Sequence, residues 1–402
     1  MNRTRTRVAV LGAGIVGCAC ARELALAGLD VTVVDRGAAA SATTAHGEGN
    51  VLVSDKGPGP ELELARLSRR LWPQVLQEIA ERSPHAARAV EWEPKGGIVV
   101  ATTDAGAREL TRFAADQRAA GVHSEVLDAD ALAEAEPYVT REHTAALHYP
   151  EDAQVQPAAA AAALLTDALA AGAVLRTDCE VLGAVTTHGD RITGVSTSAG
   201  LLEADWFINA AGPWSGALSA RLGAPVDVRP RRGDVLVTTP LPPTVFHKVY
   251  DADYVGAVGS SAEELQTSAV VESTRGGSVL IGSSRRRVGF DDRLRPEVLS
   301  AVAAKALRLF PALAGVPVMR AYGGFRPYVP DHLPVIGADP RLVGLWHVGG
   351  HEGAGIGLSV GSARLLRRLM LDQPTEMDAT PFRVDRPAVL REGTPTASEE
   401  TA

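Results

Sequence analysis

The chain opens on a segment whose spacing leaves few folds available. An apolar run, Val8-Ala-Val-Leu11, leads into Gly12-Ala-Gly14-Ile-Val-Gly17; an amphipathic stretch to Ala27 and Gly28 follows, then a second apolar run, Val31-Thr-Val-Val34, closed by Asp35. The order is strand, glycine turn, helix, strand, acid. Each part serves the grip on a dinucleotide. Gly12 permits the tight turn, Gly14 lets the main chain approach a pyrophosphate, and Gly17 lets helix and strand pack closely. Ile15 and Val16 begin a helix whose unpaired N–H groups and positive dipole end face the phosphates. Asp35, eighteen residues beyond Gly17, is placed to accept ribose hydroxyls, with Arg36 beside it.

Arg3, Arg5 and Arg7 ahead of this apolar stretch imitate a secretory signal. The glycines and the second strand fit a nucleotide fold instead, and no small-residue cleavage site precedes a mature start, so a cytoplasmic protein is expected. Ala158 to Val174 is long and apolar, but it is alanine-rich and carries Thr166 and Asp167. It suits a packed helix better than lipid, and no transmembrane segment is expected.

At 402 residues the chain exceeds one ordinary core, so two domains are expected. A net charge of −8 argues against a nucleic-acid partner. The basic runs Arg231-Arg232 and Arg285-Arg-Arg287 are expected as solvated surface or anion contacts. Cys18, Cys20 and Cys179 cannot make a disulfide framework, and no further Cys or His cluster completes a metal site around Cys18 and Cys20.

Periodicity and turn residues organise the rest. Helices are expected at Glu61 to Arg82, Ala105 to Ala120, Ala158 to Ala171, Pro296 to Phe310 and Gly355 to Met370. Strands are expected at Gly97 to Ala101, Val174 to Arg176, Trp206 to Ala210, Asp234 to Thr239, Ser268 to Glu272, Ser278 to Gly282 and Leu345 to Val348. Cys179 to Ala204 reads as a three-stranded meander. The resulting fold is α/β: a Rossmann-like nucleotide domain with an inserted, mostly antiparallel-sheet α+β domain for substrate. The expected boundaries are 1–85, 145–228 and 318–385 for the first, 86–144 and 229–317 for the second, and 386–402 for a flexible tail. A ligand then lies where the two meet.

Three further motifs join the N-terminal fingerprint: Ile208-Asn-Ala-Ala-Gly-Pro-Trp-Ser215, Gly323-Gly-Phe-Arg-Pro-Tyr-Val-Pro-Asp-His-Leu-Pro-Val-Ile-Gly337 and Val348-Gly-Gly-His-Glu-Gly-Ala-Gly-Ile-Gly357. Together they resemble the D-amino-acid-oxidase-like family of FAD-dependent amine oxidoreductases, which includes glycine and sarcosine oxidases, over roughly residues 7 to 372. Gly47-Glu-Gly-Asn-Val-Leu-Val-Ser-Asp-Lys56 and Leu280 to Asp291 are similar to flavin subunits of assembled dehydrogenases, such as those of D-hydroxyproline dehydrogenase, opine oxidase and hydrogen cyanide synthase.

The resemblance implies FAD, read as non-covalently bound, although some relatives carry the flavin covalently. It places Thr43, Thr44, His46, Gly47, Gly49 and Asn50 near the pyrophosphate and flavin ring, and it adds Val181, Ala211, Gly212 and Trp214 to the cofactor set. Gly350, His351, Glu352, Gly353, Ala354, Gly355 and Ile356 would form the loop and helix start at the flavin pyrimidine edge. There a helix dipole steadies negative charge on the reduced ring. His46 is equally readable as a solvated loop histidine.

The implied reaction is oxidation of the C–N bond of a small amino acid (glycine, a D-amino acid, or a cyclic secondary one such as D-hydroxyproline). Hydride passes to flavin N5 and an imine forms. Arg326 occupies the family's position for a carboxylate-binding cation, and its fork suits that task. Tyr254 and His351 complete the catalytic candidates, with Tyr322 and Tyr328 as further pocket residues. Partner electron-transfer subunits are implied by the narrower similarity. Two alternatives stand beside this reading: an FAD-dependent 2-hydroxy-acid dehydrogenase, and a non-catalytic flavin subunit of an electron-transfer complex.

Overall fold

A computed structural model of the chain describes residues 5–187, 190–252, 256 and 260–390. Two large sheets organise it. The first has six strands, in the order Val335–Ala338, Leu345–Gly349, Trp206–Asn209, Arg7–Leu11, Asp30–Val34, Val174–Arg176. Neighbours run parallel except at the Val335–Ala338 edge. Arg7–Leu11 is buried at every position after Arg7, as a central strand covered on both faces must be.

Small side chains decide how closely the helices approach. Ile15–Leu26 buries Gly17, Cys18, Ala19, Cys20 and Ala21, and it packs against the alanine-rich helix Pro157–Ala170 and against Gly355–Met370. One buried cation ties this layer together. The Arg22 Nε donates to Asp167 at 2.6 Å and its Nη2 donates to Glu78 at 2.6 Å, while Arg82 also donates to Asp167. Paired in this way, the charge is tolerated inside a helix layer.

The second sheet has eight strands, in the order Val318–Tyr328, Arg229–Thr238, Val279–Arg285, Gln266–Ser273, Lys248–Asp251, Gly97–Ala101, Ala145–Tyr149, Glu125–Val126. It is antiparallel except where Lys248–Asp251 runs beside Gly97–Ala101. The helix Pro296–Leu309 covers one face, closing a core that includes Val249, Val271, Ile281, Val302 and Phe310. The Gly277 turn joins two strands at φ +84°, a conformation that favours glycine.

Sheet membership corrects three expected boundaries. Ala145–Tyr149 pairs with Gly97–Ala101, so residue 145 begins in the antiparallel sheet and not in the nucleotide-binding unit. Val318–Tyr328 likewise pairs along Arg229–Thr238, so the motif strand bearing Arg326 belongs to the second sheet. Residues 386–390 are packed, not a tail: Arg386 pairs with Asp331, Val389 is buried, and Leu390 bridges Val226. The rest of the expected tail lies outside the described residues. Among the described residues no helix is long and apolar enough to cross a membrane.

Candidate active site

A cleft runs from the carboxyl ends of the parallel strands to the face of the second sheet. Gly12, Gly14, Asp35, Ala211, His351 and Arg326 mark its course. That is where the loops after parallel strands gather backbone N–H groups.

The glycines divide into two kinds. Gly12 has φ +120° and a Cβ there would sit 2.5 Å from the Ala210 carbonyl oxygen, while a Cβ on Gly17 would sit 1.9 Å from the Gly12 oxygen. Both are demanded by the chain's own packing. Gly14 has an ordinary φ of −74°, and its nearest obstacle would be the Thr44 hydroxyl at 3.4 Å. The protein itself does not need a glycine at 14, but a phosphate approaching the helix start does. Neither Ile15–Leu26 nor Gly355–Met370 has a side chain capping its first turn from the N-cap residue. The Thr44 hydroxyl accepts the Ile15 N–H at 3.0 Å, and the remaining first-turn N–H groups and positive dipole ends face a long anionic ligand. This cradle fits the pyrophosphate and the pyrimidine edge of FAD.

Asp35 fixes the turn as well as lining the cleft. Its carboxylate accepts the Ala13 N–H at 2.8 Å and the Gly37 N–H at 2.9 Å, with lone pairs left for a ribose hydroxyl. Arg36 lies 4.4 Å over the Trp214 ring, which stacks on Phe290. Ile15, Val16, Thr43, Thr44, His46, Gly47, Gly49, Asn50, Val181 and Gly212 also line the cleft. The loop that carries His46 is held against the second sheet, where Thr43 donates to the Phe325 carbonyl at 2.8 Å.

On the substrate side, register brings cations together. Arg231 is opposite Arg326, and Gly233 gives Arg326 its floor: a Cβ on Gly233 would strike the guanidinium at 2.1 Å. The Arg326 Nη1 donates to the Ser284 carbonyl at 2.8 Å. Arg231 is fully buried and pairs with Glu352, whose other oxygen meets the His332 Nδ1 at 3.0 Å. Burial pushes the Glu352 carboxyl upward, but the His332 hydrogen bond and the charges of Arg231 and Arg285 hold it below the usual carboxylate range. Glu352 (φ +46°) and His332 (φ +56°) are both left-handed, so this hydrogen bond spans two backbone positions that L-residues rarely adopt. Arg231 pairs with Glu352 and the Arg285 charge reaches the same carboxylate, while Arg326 lines the cleft beside Gly353. A guanidinium at the cleft wall suits an anionic substrate group.

Several sequence expectations change here. The runs Arg231-Arg232 and Arg285-Arg286 are buried, not solvated. Arg232 and Arg286 pair with Asp234 at 3.0 and 3.5 Å. His351 is buried, its ring bonds the Ser362 hydroxyl at 2.9 Å, and burial lowers its pKa to about 4. The ring still lines the cleft, and burial favours its neutral form there. Gly17, Gly350 and Ala354 do not line the cleft, whereas Glu352, Gly353, Gly355 and Ile356 do. Tyr254 lies outside the described residues. Tyr328 is buried beneath Arg231 and Arg287, and Tyr322 meets His46 edge-on at 5.7 Å. The sequence reading missed Glu48, Lys248 and Glu272 because their meeting depends on strand register, which no local motif encodes.

Comparison with known proteins agrees with the geometry. The chain is 30% identical to a glycine oxidase of Pseudomonas aeruginosa, with 94% of this chain and 98% of the relative covered. It is 28% identical to the hydrogen cyanide synthase subunit HcnC of the same organism, over 95% of this chain and 96% of that one. The crystal structure of glycine oxidase from Geobacillus kaustophilus superposes with a TM-score of 0.85 at 27% identity, covering 95% of this chain and 99% of that one. The DAO family, FAD dependent oxidoreductase, matches residues 7–369, and the chain belongs to that family and uses FAD.

Proposed function

We propose that the chain oxidises the C–N bond of a small amino acid to an imine. The observation that carries this is Arg326, laid across Gly233 on the wall of the cleft that also holds the FAD cradle. Bound FAD supplies the acceptor for two electrons and the α-hydrogen. The protein's part is orientation. Arg326 clamps the carboxylate, and Arg231, Glu352 and His332 lock the loop after Leu345–Gly349 against the second sheet. A fixed carboxylate leaves the substrate Cα one direction to face, which is the main contribution a site of this kind makes to rate. The similarity to glycine oxidases supports a small substrate; D-proline and D-hydroxyproline extend the same chemistry to rings.

The electrons are proposed to leave through a partner chain. Cys18, Cys20 and Cys179 are three buried thiols, one short of the four thiolates that hold an iron–sulfur cluster, and burial drives Cys18 to about 12. The relative HcnC is itself a subunit. Two measurements test these readings. Anaerobic mixing of the holoenzyme with glycine, sarcosine, D-proline and cis-4-hydroxy-D-proline should bleach the flavin with at least one of them. Bleaching by glycolate or lactate alone would establish the hydroxy-acid alternative. Reoxidation should be slow in air and fast with a dye; rapid peroxide production in air by the isolated chain would instead make it a self-sufficient oxidase.

A further inference from the structure

The cleft's cations face a second, oppositely charged group. Glu48 lines the cleft with 8% of its surface exposed, and among the described residues its Oε1 accepts no hydrogen bond. Its Oε2 takes a long 3.4 Å bond from Asn50. Behind it, Lys248 donates to Asn50 and, at 2.8 Å, to Glu272, with Lys248 1% and Glu272 0% exposed. Lys248 therefore ion-pairs with Glu272 and is linked to Glu48 through the Asn50 side chain. An interior anion of this kind calls for a cation.

We propose that Glu48 binds the substrate's protonated nitrogen, so that Glu48 and Arg326 grip the two ends of a zwitterionic α-amino acid. This rests on the amino-acid reading above and deepens it. The second sheet contacts both side chains. Gly282 lies against Glu48, since a Cβ there would meet Oε1 at 1.9 Å, and the carbonyl of Ser284, two residues on, accepts from Arg326. Glu48 and Arg326 both line the same cleft. A carboxylate facing the nitrogen selects amines over the corresponding hydroxy acids, which an arginine alone does not do.

The test uses two unreactive acids that differ by the ammonium group: 2-aminoisobutyrate, which has no hydrogen on Cα, and 2-methylpropanoate. Binding to the holoenzyme is read from the flavin spectrum. Wild type should bind the amino acid more tightly by roughly tenfold or more. Glu48→Gln should erase that preference while keeping FAD and the affinity for 2-methylpropanoate, and Glu48→Asp should restore part of it. An equal affinity of wild type for the two acids, or a preference kept in Glu48→Gln, overturns the Glu48 assignment and leaves Arg326 standing. Failure of both acids to perturb wild type removes the Arg326 carboxylate site, and the Glu48 assignment with it.

Discussion

The two halves of the cleft hold their ligands by different means. On the nucleotide side the grip is main chain: glycine turns, helix starts and a carboxylate that braces the turn at Ala13 and Gly37. On the substrate side it is side-chain charge: buried Arg231 with Glu352, buried Lys248 with Glu272, and half-buried Arg326 on the cleft wall. A backbone cradle depends on short-range spacing and tolerates change around it. A charge cluster depends on strands that meet across the sheet, and each member leaves a costly orphan if removed.

The largest expected effect tests that last point. Lys248→Met strands Glu272 in the interior and should cost about 3–5 kcal/mol of stability in chemical denaturation of the holoenzyme. Adding Glu272→Gln should recover much of it. A single variant as stable as wild type would mean that the substrate side does not depend on paired charge.

Next comes Arg326→Leu. Loss of one partner of a desolvated charge pair costs about 2–5 kcal/mol in kcat/KM for carboxylate substrates, with FAD still bound. A change below about threefold would move the carboxylate to Arg285 or Arg231, since threefold is well under the cost of a single charged hydrogen bond.

The two kinds of glycine give a sharper contrast. Gly14→Val should weaken FAD binding roughly ten- to hundredfold by blocking one or two charge-assisted bonds, with little loss of apoprotein stability. Gly17→Ala should do the reverse, costing about 1–3 kcal/mol of stability through overpacking. Matching effects from the two would erase the distinction between a glycine kept for the ligand and one kept for the fold.

The legibility of the chain follows the same division. The fingerprint, the Trp206–Asn209 strand and the last helix were readable because glycines and apolar runs act within a few residues of one another. The eleven-residue strand Val318–Tyr328 was not, since Gly323, Gly324 and Pro327 disguise it and its partner lies ninety residues earlier. Arg231 and Arg285 read as surface because a basic run looks solvated until Glu352 and the strand register bury it. Glu48 stood inside a recognised segment, yet nothing local shows that Gly282 makes room for it.

The smallest expected effect concerns His351. Burial lowers its pKa to about 4, so the neutral ring is favoured in the folded state. Its contribution to stability is present above about pH 6.5 and is lost as pH falls toward 4, on the order of 1–3 kcal/mol. His351→Gln should remove that slope from the difference between the two proteins while leaving the substrate specificity unchanged. An altered specificity would support a catalytic role for His351.

The central claim is that an FAD enzyme here acts on amino acids held by their carboxylate, and anaerobic reduction of the bound flavin tests it most directly. The account predicts bleaching by at least one small amino acid, with the rate falling roughly 30-fold or more in Arg326→Leu. A flavin that no amino acid reduces, or one reduced equally well in Arg326→Leu, would contradict it.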